Sequence, residues 1–163
     1  MSTTKRDQPA GDGPARTLRY GLVGAGGMGR GHLGVLKCLE GVRVAALADP
    51  HEPSRQAALA TLGEAVPAYD DYRTMLDRET LDAVIVATPN DTHADIVCAA
   101  LDRGIHVLGE KPMASTLDGC RRILKTAKDA PALYQIGLEL RSGPIWQRVH
   151  QLAAEGRIGK VRQ

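Results

Sequence analysis

The sequence predicts an α/β fold built on a doubly wound parallel sheet, and three observations carry that expectation. Short apolar runs of strand length alternate along the chain with segments of helical periodicity. The first run, residues 18–23, passes with no spacer into the glycine-rich GAGGMG. The second, residues 42–48, ends in Asp49, about 20 residues past the last glycine of that motif, the separation at which an acidic residue meets the ribose hydroxyls of a dinucleotide.

Taken in order, Leu18, Tyr20 and Leu22 alternate with Arg19, Gly21 and Val23 as in a short buried strand. Residues 28–39 carry Leu33, Leu36 and Leu39 at helical spacing, with Gly41 as the C-terminal cap. His32 lies one turn inside this helix, either buried or beside the phosphates of a ligand. Asp49 and Pro50 stop the second strand, and residues 53–62 form a helix with Ala57, Ala58 and Leu62 inward. Residues 66–69 make a short third strand, placed at the sheet edge by Pro67, and Asp70 or Asp71 caps a brief helix through Leu76. Residues 81–88 are the fourth strand. Asp91 caps a helix to Arg103, closed by Gly104, with Ile96, Val97, Ala100 and Leu101 inward. Residues 105–108 are the fifth strand, and residues 116–128 a helix with Leu117, Cys120, Ile123, Leu124 and Ala127 on one face. Residues 133–138 are the sixth strand. Six strands opening on this glycine pattern make a complete Rossmann-type sheet, ordered 3-2-1-4-5-6.

The chain of 163 residues is long enough for one domain with a proper core and too short for two full-sized ones. With 3% aromatic residues and no Phe, the core must come from Ala, Val, Leu and Ile. The 21 basic and 19 acidic residues are scattered and leave a net charge of +2, which argues against nucleic acid as a partner. Cys38, Cys98 and Cys120 lack CxxC spacing and read as buried free thiols of a reducing cytosol, with no metal site expected. No apolar run approaches the ~18 residues of a membrane span, and the N-terminus has no signal-peptide core. A cytoplasmic location without membrane association is therefore expected. Residues 1–16, rich in Gly, Pro and Asp, read as a disordered tail.

The glycines have separate physical uses. Gly24 permits a tight turn, Gly26 keeps side-chain bulk away from a pyrophosphate, and Gly29 lets the helix pack closely. The free amides of that helix start, around Gly27 and Met28, can hold an anion. A purely structural glycine turn is the plain alternative. Ligands in such a sheet lie beyond the carboxyl ends of the strands. There stand GAGGMG after the first strand, Asp49 after the second, Thr88, Pro89 and Asn90 after the fourth, and Glu110, Lys111 and Pro112 after the fifth. All four groups are expected to line one crevice. The Asp49 charge would repel a 2′-phosphate, which favours NAD over NADP, although Arg55 or Ser54 could serve such a phosphate. An ordinary strand-ending aspartate before Pro50 is the other reading.

TPNDTH at residues 88–93 and EKP at residues 110–112 are more particular. With GAGGMGRGH and the late GLELR and EGRIGKV segments, they resemble the glucose-fructose oxidoreductase, inositol dehydrogenase and rhizopine-catabolism family, Gfo/Idh/MocA, from Leu18 to the end of the chain. The resemblance implies NAD(P)-dependent hydride transfer involving a hydroxyl carbon of a sugar, cyclitol or related polyol. It places Pro89 and Asn90 on the nicotinamide side of the cofactor and makes Glu110 a ribose or nicotinamide contact. His93 becomes either a cofactor neighbour or a structural helix cap. Lys111 becomes the central catalytic residue. The candidate cofactor-binding set is thus Gly24, Gly26, Gly27, Met28, Gly29, Asp49, Thr88, Pro89, Asn90, His93 and Glu110.

Oxidising an alcohol requires the hydroxyl proton to leave as hydride departs. A neutral lysine amine can take it, but a free lysine titrates near ~10.4, so burial or the positive oxidised nicotinamide is needed to lower that value. An exposed turn residue before Pro112 is the bland reading of Lys111. Family members continue into an α+β substrate domain bearing a DxxxH pattern, which nothing downstream of residue 140 matches. Residues 17–140 are therefore read as the cofactor domain, and residues 141–163 as a connecting helix (144–155) and the first strand (159–163) of a truncated second domain. Arg141 matches an arginine of the family's interdomain segment. A stand-alone nucleotide-binding module and one half of a split enzyme are the alternatives. A sugar or polyol would bind only with a second domain supplied, and homo-oligomerisation is left open.

Overall fold

The computed structural model describes residues 16–160 and Arg162. The expected N-terminal tail lies outside the described residues except for Arg16. The strands are β1 (Leu18–Val23), β2 (Val42–Ala48), β3 (Ala68–Tyr69), β4 (Ala83–Val86), β5 (His106–Glu110) and β6 (Tyr134–Gly137). Between and after them run the helices α1 (Gly27–Leu36), α2 (Glu52–Leu62), α3 (Tyr72–Arg78), α4 (His93–Leu101), α5 (Leu117–Asp129) and α6 (Pro144–Ala154). All strand pairs are parallel, in the order β3-β2-β1-β4-β5-β6. This is the expected doubly wound sheet.

Alternation along each strand sends side chains to both faces, and both are covered. Leu22, Leu47 and Ile85 pack with Leu33 and Leu36 of α1 and with Ala58 and Leu62 of α2. On the other face Val23, Val84, Val86 and Val107 pack with Met75 of α3, Val97 and Leu101 of α4, and Ile123 of α5. The interior is aliphatic, as a chain without Phe requires.

Several boundaries differ from the sequence expectation, for identifiable reasons. Helix α1 stops at Leu36, and Leu39 is 49% exposed, because the leucine periodicity outruns the sheet surface that could bury it. In α2 the inward stripe is Ala58, Leu59 and Leu62, while Ala57 faces out. Asp71, not Asp70, caps α3 by accepting from the Arg73 amide at 3.0 Å. Asp91 is no cap, since Asn90–Thr92 form a 3-10 turn and α4 then begins at His93. Strand β5 extends to Glu110, beyond the expected Leu108. Thr116 does cap α5, but of the expected inner face only Ile123 is fully buried, while Leu117 and Leu124 are exposed. Helical spacing marks a face without saying how much sheet lies beneath it. Residues 159 and 160 are not in a strand, and positions 161 and 163 lie outside the described residues.

Cys98 is buried, Cys120 half-buried and Cys38 exposed, so the expectation of three buried thiols fails at Cys38, which follows the shortened α1. Among the described residues no group of three or more potential metal ligands occurs, and no helix is long and apolar enough to cross a membrane.

Candidate functional site

The glycine turn joins β1 to α1 at the carboxyl edge of the sheet. Gly24 has φ +93, and a Cβ there would lie 2.4 Å from the Ala87 carbonyl oxygen. Only glycine tolerates both conditions. At Gly29 a Cβ would stand 1.9 Å from the Gly24 carbonyl oxygen, so α1 sits directly on its own entry turn. Gly26 and Gly27 are the opposite case, with no atom within 4 Å of a Cβ built on either.

Helix α1 begins without a side-chain cap and without an acidic residue in its first turn. Its first internal bond runs from the Arg30 amide to the Gly26 carbonyl at 2.9 Å. The amides before it, at Gly27, Met28 and Gly29, are the orphan donors of a helix start. Open space lies beside Gly26 and Gly27, and Met28 is exposed, whereas Gly29 is buried. An open helix start of this kind fits the diphosphate of a dinucleotide.

Asp49 faces that turn. Its Oδ2 accepts the Ala25 amide at 2.8 Å, and its Oδ1 accepts the His51 amide at 2.8 Å. The carboxylate therefore braces the glycine turn from the tip of β2, and each oxygen keeps a second lone pair for a hydroxyl donor. The groups considered for a phosphate are each engaged in part. The Arg55 guanidinium donates to the Asp49 carbonyl at 2.7 Å and the Pro50 carbonyl at 3.2 Å, and Ser54 Oγ lies 2.9 Å from His51 Nδ1.

Two cavities flank the turn. One of about 340 Å³ is lined by Gly24, Asp49, Pro50, Tyr72, Pro89 and Ile96. Thr88 and Pro89 belong to this Asp49 side, and Asn90 is exposed at the start of the 3-10 turn. The second cavity, of about 660 Å³, is lined by Met28, His32, Glu110, Tyr134 and Arg141 among others. Burial pushes the Tyr134 phenol up to about 12, and its hydroxyl has no hydrogen-bond partner. It therefore stays protonated near neutral pH.

His93 lies beneath the crevice with 1% of its surface exposed. Its Nδ1 is 2.8 Å from the Pro112 carbonyl and its Nε2 3.0 Å from the Thr88 carbonyl. The ring thus sits between the loop after β4 and the loop after β5, and a neutral imidazole, with one N–H, donates to one of the two carbonyls. His93 is neither a cap for the α4 amides nor open to the crevice. Glu110 is held at both oxygens, by His32 Nε2 at 2.8 Å and by the Lys111 amide at 3.2 Å. Lys111 itself is exposed, so the burial invoked for its chemistry is not supplied by the described residues.

The structure thus brings Gly24, Asp49, Thr88 and Pro89 together, and separately Met28 and Glu110, with the glycine turn between the two groups. Sequence reasoning missed Asp70 and Tyr72, which line the Asp49 cavity from the tip of β3. Applying the strand-end rule to the third strand would have found them. It also left His32 unassigned, and no local pattern ties it to Glu110, 78 residues away.

Residues 18–138 match the Gfo/Idh/MocA family model, described as an oxidoreductase family with an NAD-binding Rossmann fold. Inositol 2-dehydrogenase 2 of Saccharopolyspora erythraea is 33% identical over 147 residues, which cover 89% of this chain and 43% of that protein. The WlbA dehydrogenase of Bordetella pertussis, solved with NADH and UDP-GlcNAcA, superposes with a TM-score of 0.80 at 27% identity over 89% of this chain and 44% of its own. A 3-ketoreductase of Actinomadura kijaniata, solved with TDP-benzene and NADP, gives 0.81 at 25% identity over 90% and 46%. The chain therefore spans less than half the length of these relatives. It belongs to the Gfo/Idh/MocA oxidoreductase family, of which it carries the NAD-binding Rossmann fold.

Proposed function

We propose that this chain is the cofactor-binding part of an NAD-dependent dehydrogenase acting on a hydroxyl carbon of a sugar, cyclitol or related polyol. On this reading residues 17–140 are the cofactor domain, and residues 141–163 lead into a substrate-binding domain. The observation that carries it is the open, uncapped start of α1 beside a carboxylate braced on the same turn.

The amides of Gly27, Met28 and Gly29 bind the diphosphate, and Gly26 leaves room for it. Asp49 offers its remaining lone pairs to the adenosine ribose, while Pro50, Tyr72, Pro89 and Ile96 supply apolar walls for a flat heterocycle. Asp70 and Asp71 line the same cavity, and with Asp49 they oppose a 2′-phosphate. Thr88 and Asn90 border the path from this cavity toward the β5 tip, and His93 holds the two loops on which they and Lys111 stand.

Bound nicotinamide supplies the hydride acceptor. Lys111 takes the substrate hydroxyl proton at Nζ, or returns it to a carbonyl in the reverse direction. Tyr134 does not compete as a base, because its phenol stays protonated. The exposure of Lys111 and the absence of any buried residue on α6 favour a second reading for the isolated polypeptide, a nucleotide-binding module with little turnover of its own.

Isothermal titration with NAD and NADP tests the proposal. NAD is expected to bind at least about tenfold more tightly, the difference of roughly 1.4 kcal/mol that one well-placed charge can supply. Absence of NAD binding, or tighter binding of NADP, would overturn it.

A further inference from the structure

Lys111 follows the last residue of β5, and its position depends on how that strand tip is held. The ladder between β4 and β5 ends with Val86 opposite Gly109, one residue short of Glu110. On its other side Glu110 pairs with Gly137 of β6, the outermost strand of the sheet. Beyond Lys111 the chain is fixed again, because the Pro112 carbonyl meets buried His93. The sheet therefore holds residue 110 on one side only.

A side chain from a different layer secures it. His32 lies on α1 in the turn that follows the diphosphate-binding amides, and its Nε2 is 2.8 Å from Glu110 Oε1. The other carboxylate oxygen receives the Lys111 amide at 3.2 Å. The pair is mostly withdrawn from water, with side-chain exposures of 24% for His32 and 12% for Glu110, and it forms part of the wall of the 660 Å³ cavity. A hydrogen bond to a carboxylate in such surroundings is stronger and more directional than one between neutral groups in water. Helix α1 is in turn seated on the Gly24 carbonyl through Gly29.

We propose that His32 is a positioning residue. It ties Glu110, and through that carboxylate the Lys111 main chain, to the helix that grips the diphosphate, so that the two halves of the crevice keep a fixed separation. This rests on the cofactor-site reading above and adds to it a residue that does not touch the diphosphate. It also gives Glu110 a bridging role besides any contact with a ligand.

The test uses the 163-residue protein and its His32→Ala and His32→Gln variants. Amide hydrogen exchange at Lys111 is followed by NMR without ligand, and NAD and ADP affinities are measured by calorimetry. In His32→Ala the Lys111 amide is expected to exchange about tenfold faster, while amides of β1 and β4 keep their rates. NAD affinity is expected to fall about fivefold and ADP affinity to change less than about twofold, because ADP reaches only the diphosphate and adenosine side. Glutamine can present its amide N–H near the place of Nε2, so His32→Gln should restore most of both effects.

An unchanged Lys111 exchange rate in His32→Ala would overturn the proposal, as would equal losses of NAD and ADP. If the parent protein binds neither ligand, the cofactor reading fails, yet the exchange measurement still decides whether His32 holds the strand tip.

Discussion

The two ends of the crevice are built to different standards. Around β1, α1 and β2 the backbone is locked, with Gly24 against Ala87 just past β4, Gly29 against Gly24, and the Asp49 carboxylate bonded to two main-chain amides. Around the tip of β5 the key side chain, Lys111, is exposed and is held only through its neighbours, Glu110 by His32 and Pro112 by His93. Farther along, α6 buries no residue at all and exposes Ile145, Trp146 and Val149. The difference teaches that the glycine turn and the carboxylate beside it are fixed by main-chain contacts, whereas the tip of β5 is positioned without being enclosed.

Substitution at the glycines should break the comparison most sharply. Gly29→Ala forces a methyl into the Gly24 carbonyl, and urea denaturation should show a loss of about 3 kcal/mol or more, the upper range for overpacking a site that cannot yield. Gly26→Ala places its methyl in open space. It should cost under about 1 kcal/mol of stability while lowering NAD affinity severalfold in calorimetry. Equal stability losses in the two variants would remove the distinction between a packing glycine and a ligand-facing one.

His93→Leu should come next. It removes the N–H donor that a buried ring holds between the Thr88 and Pro112 carbonyls. With about 1–3 kcal/mol for an unsatisfied group, a loss near 2 kcal/mol is expected in urea. Asp49→Ala removes the acceptor of the Ala25 amide. It should cost about 1–2 kcal/mol and narrow the preference for NAD over NADP in the same titrations. Lys111→Ala touches an exposed side chain, so stability should stay within about 0.5 kcal/mol. A larger change would mean that Lys111 packs more than its exposure shows.

The smallest effect concerns acid. The Arg19 main-chain amide, at 2.7 Å, holds the Asp82 carboxyl below the usual carboxylate range, with the Arg16 guanidinium adding to it. A carboxylate depressed in the folded state contributes stability that is present above its unfolded value, near ~3.9, and is lost as pH falls through the folded one. Asp82→Asn should therefore flatten the decline in stability below about pH 4 relative to the parent, measured by thermal denaturation across that range.

Local signals made much of the fold legible. Each strand of the order β3-β2-β1-β4-β5-β6 could be read from a short apolar run, and the glycine motif marked the first turn because a positive φ at Gly24 and a close approach at Gly29 each require glycine itself. The carboxyl edge then gathered Asp49, Thr88 and Glu110 by topology alone. Less legible were depth and extent. Leu117 and Leu124 carry the spacing of an inner face yet stand in water, since periodicity does not report where the sheet ends. His32 could be read as a buried residue and His93 as a helix cap, and their partners lie 78 and 19 residues away.

By itself, then, the sequence determined the strand, glycine turn and helix that begin the domain, the alternation that follows, and the family to which the chain belongs. Each of these is written in neighbouring residues and in periods of two or about 3.6. The tertiary structure alone decided that His93 is sealed beneath the crevice, that His32 meets Glu110, and that Lys111 stands in the open. Those facts depend on segments distant in the chain meeting across a packed sheet, and no local period encodes such a meeting.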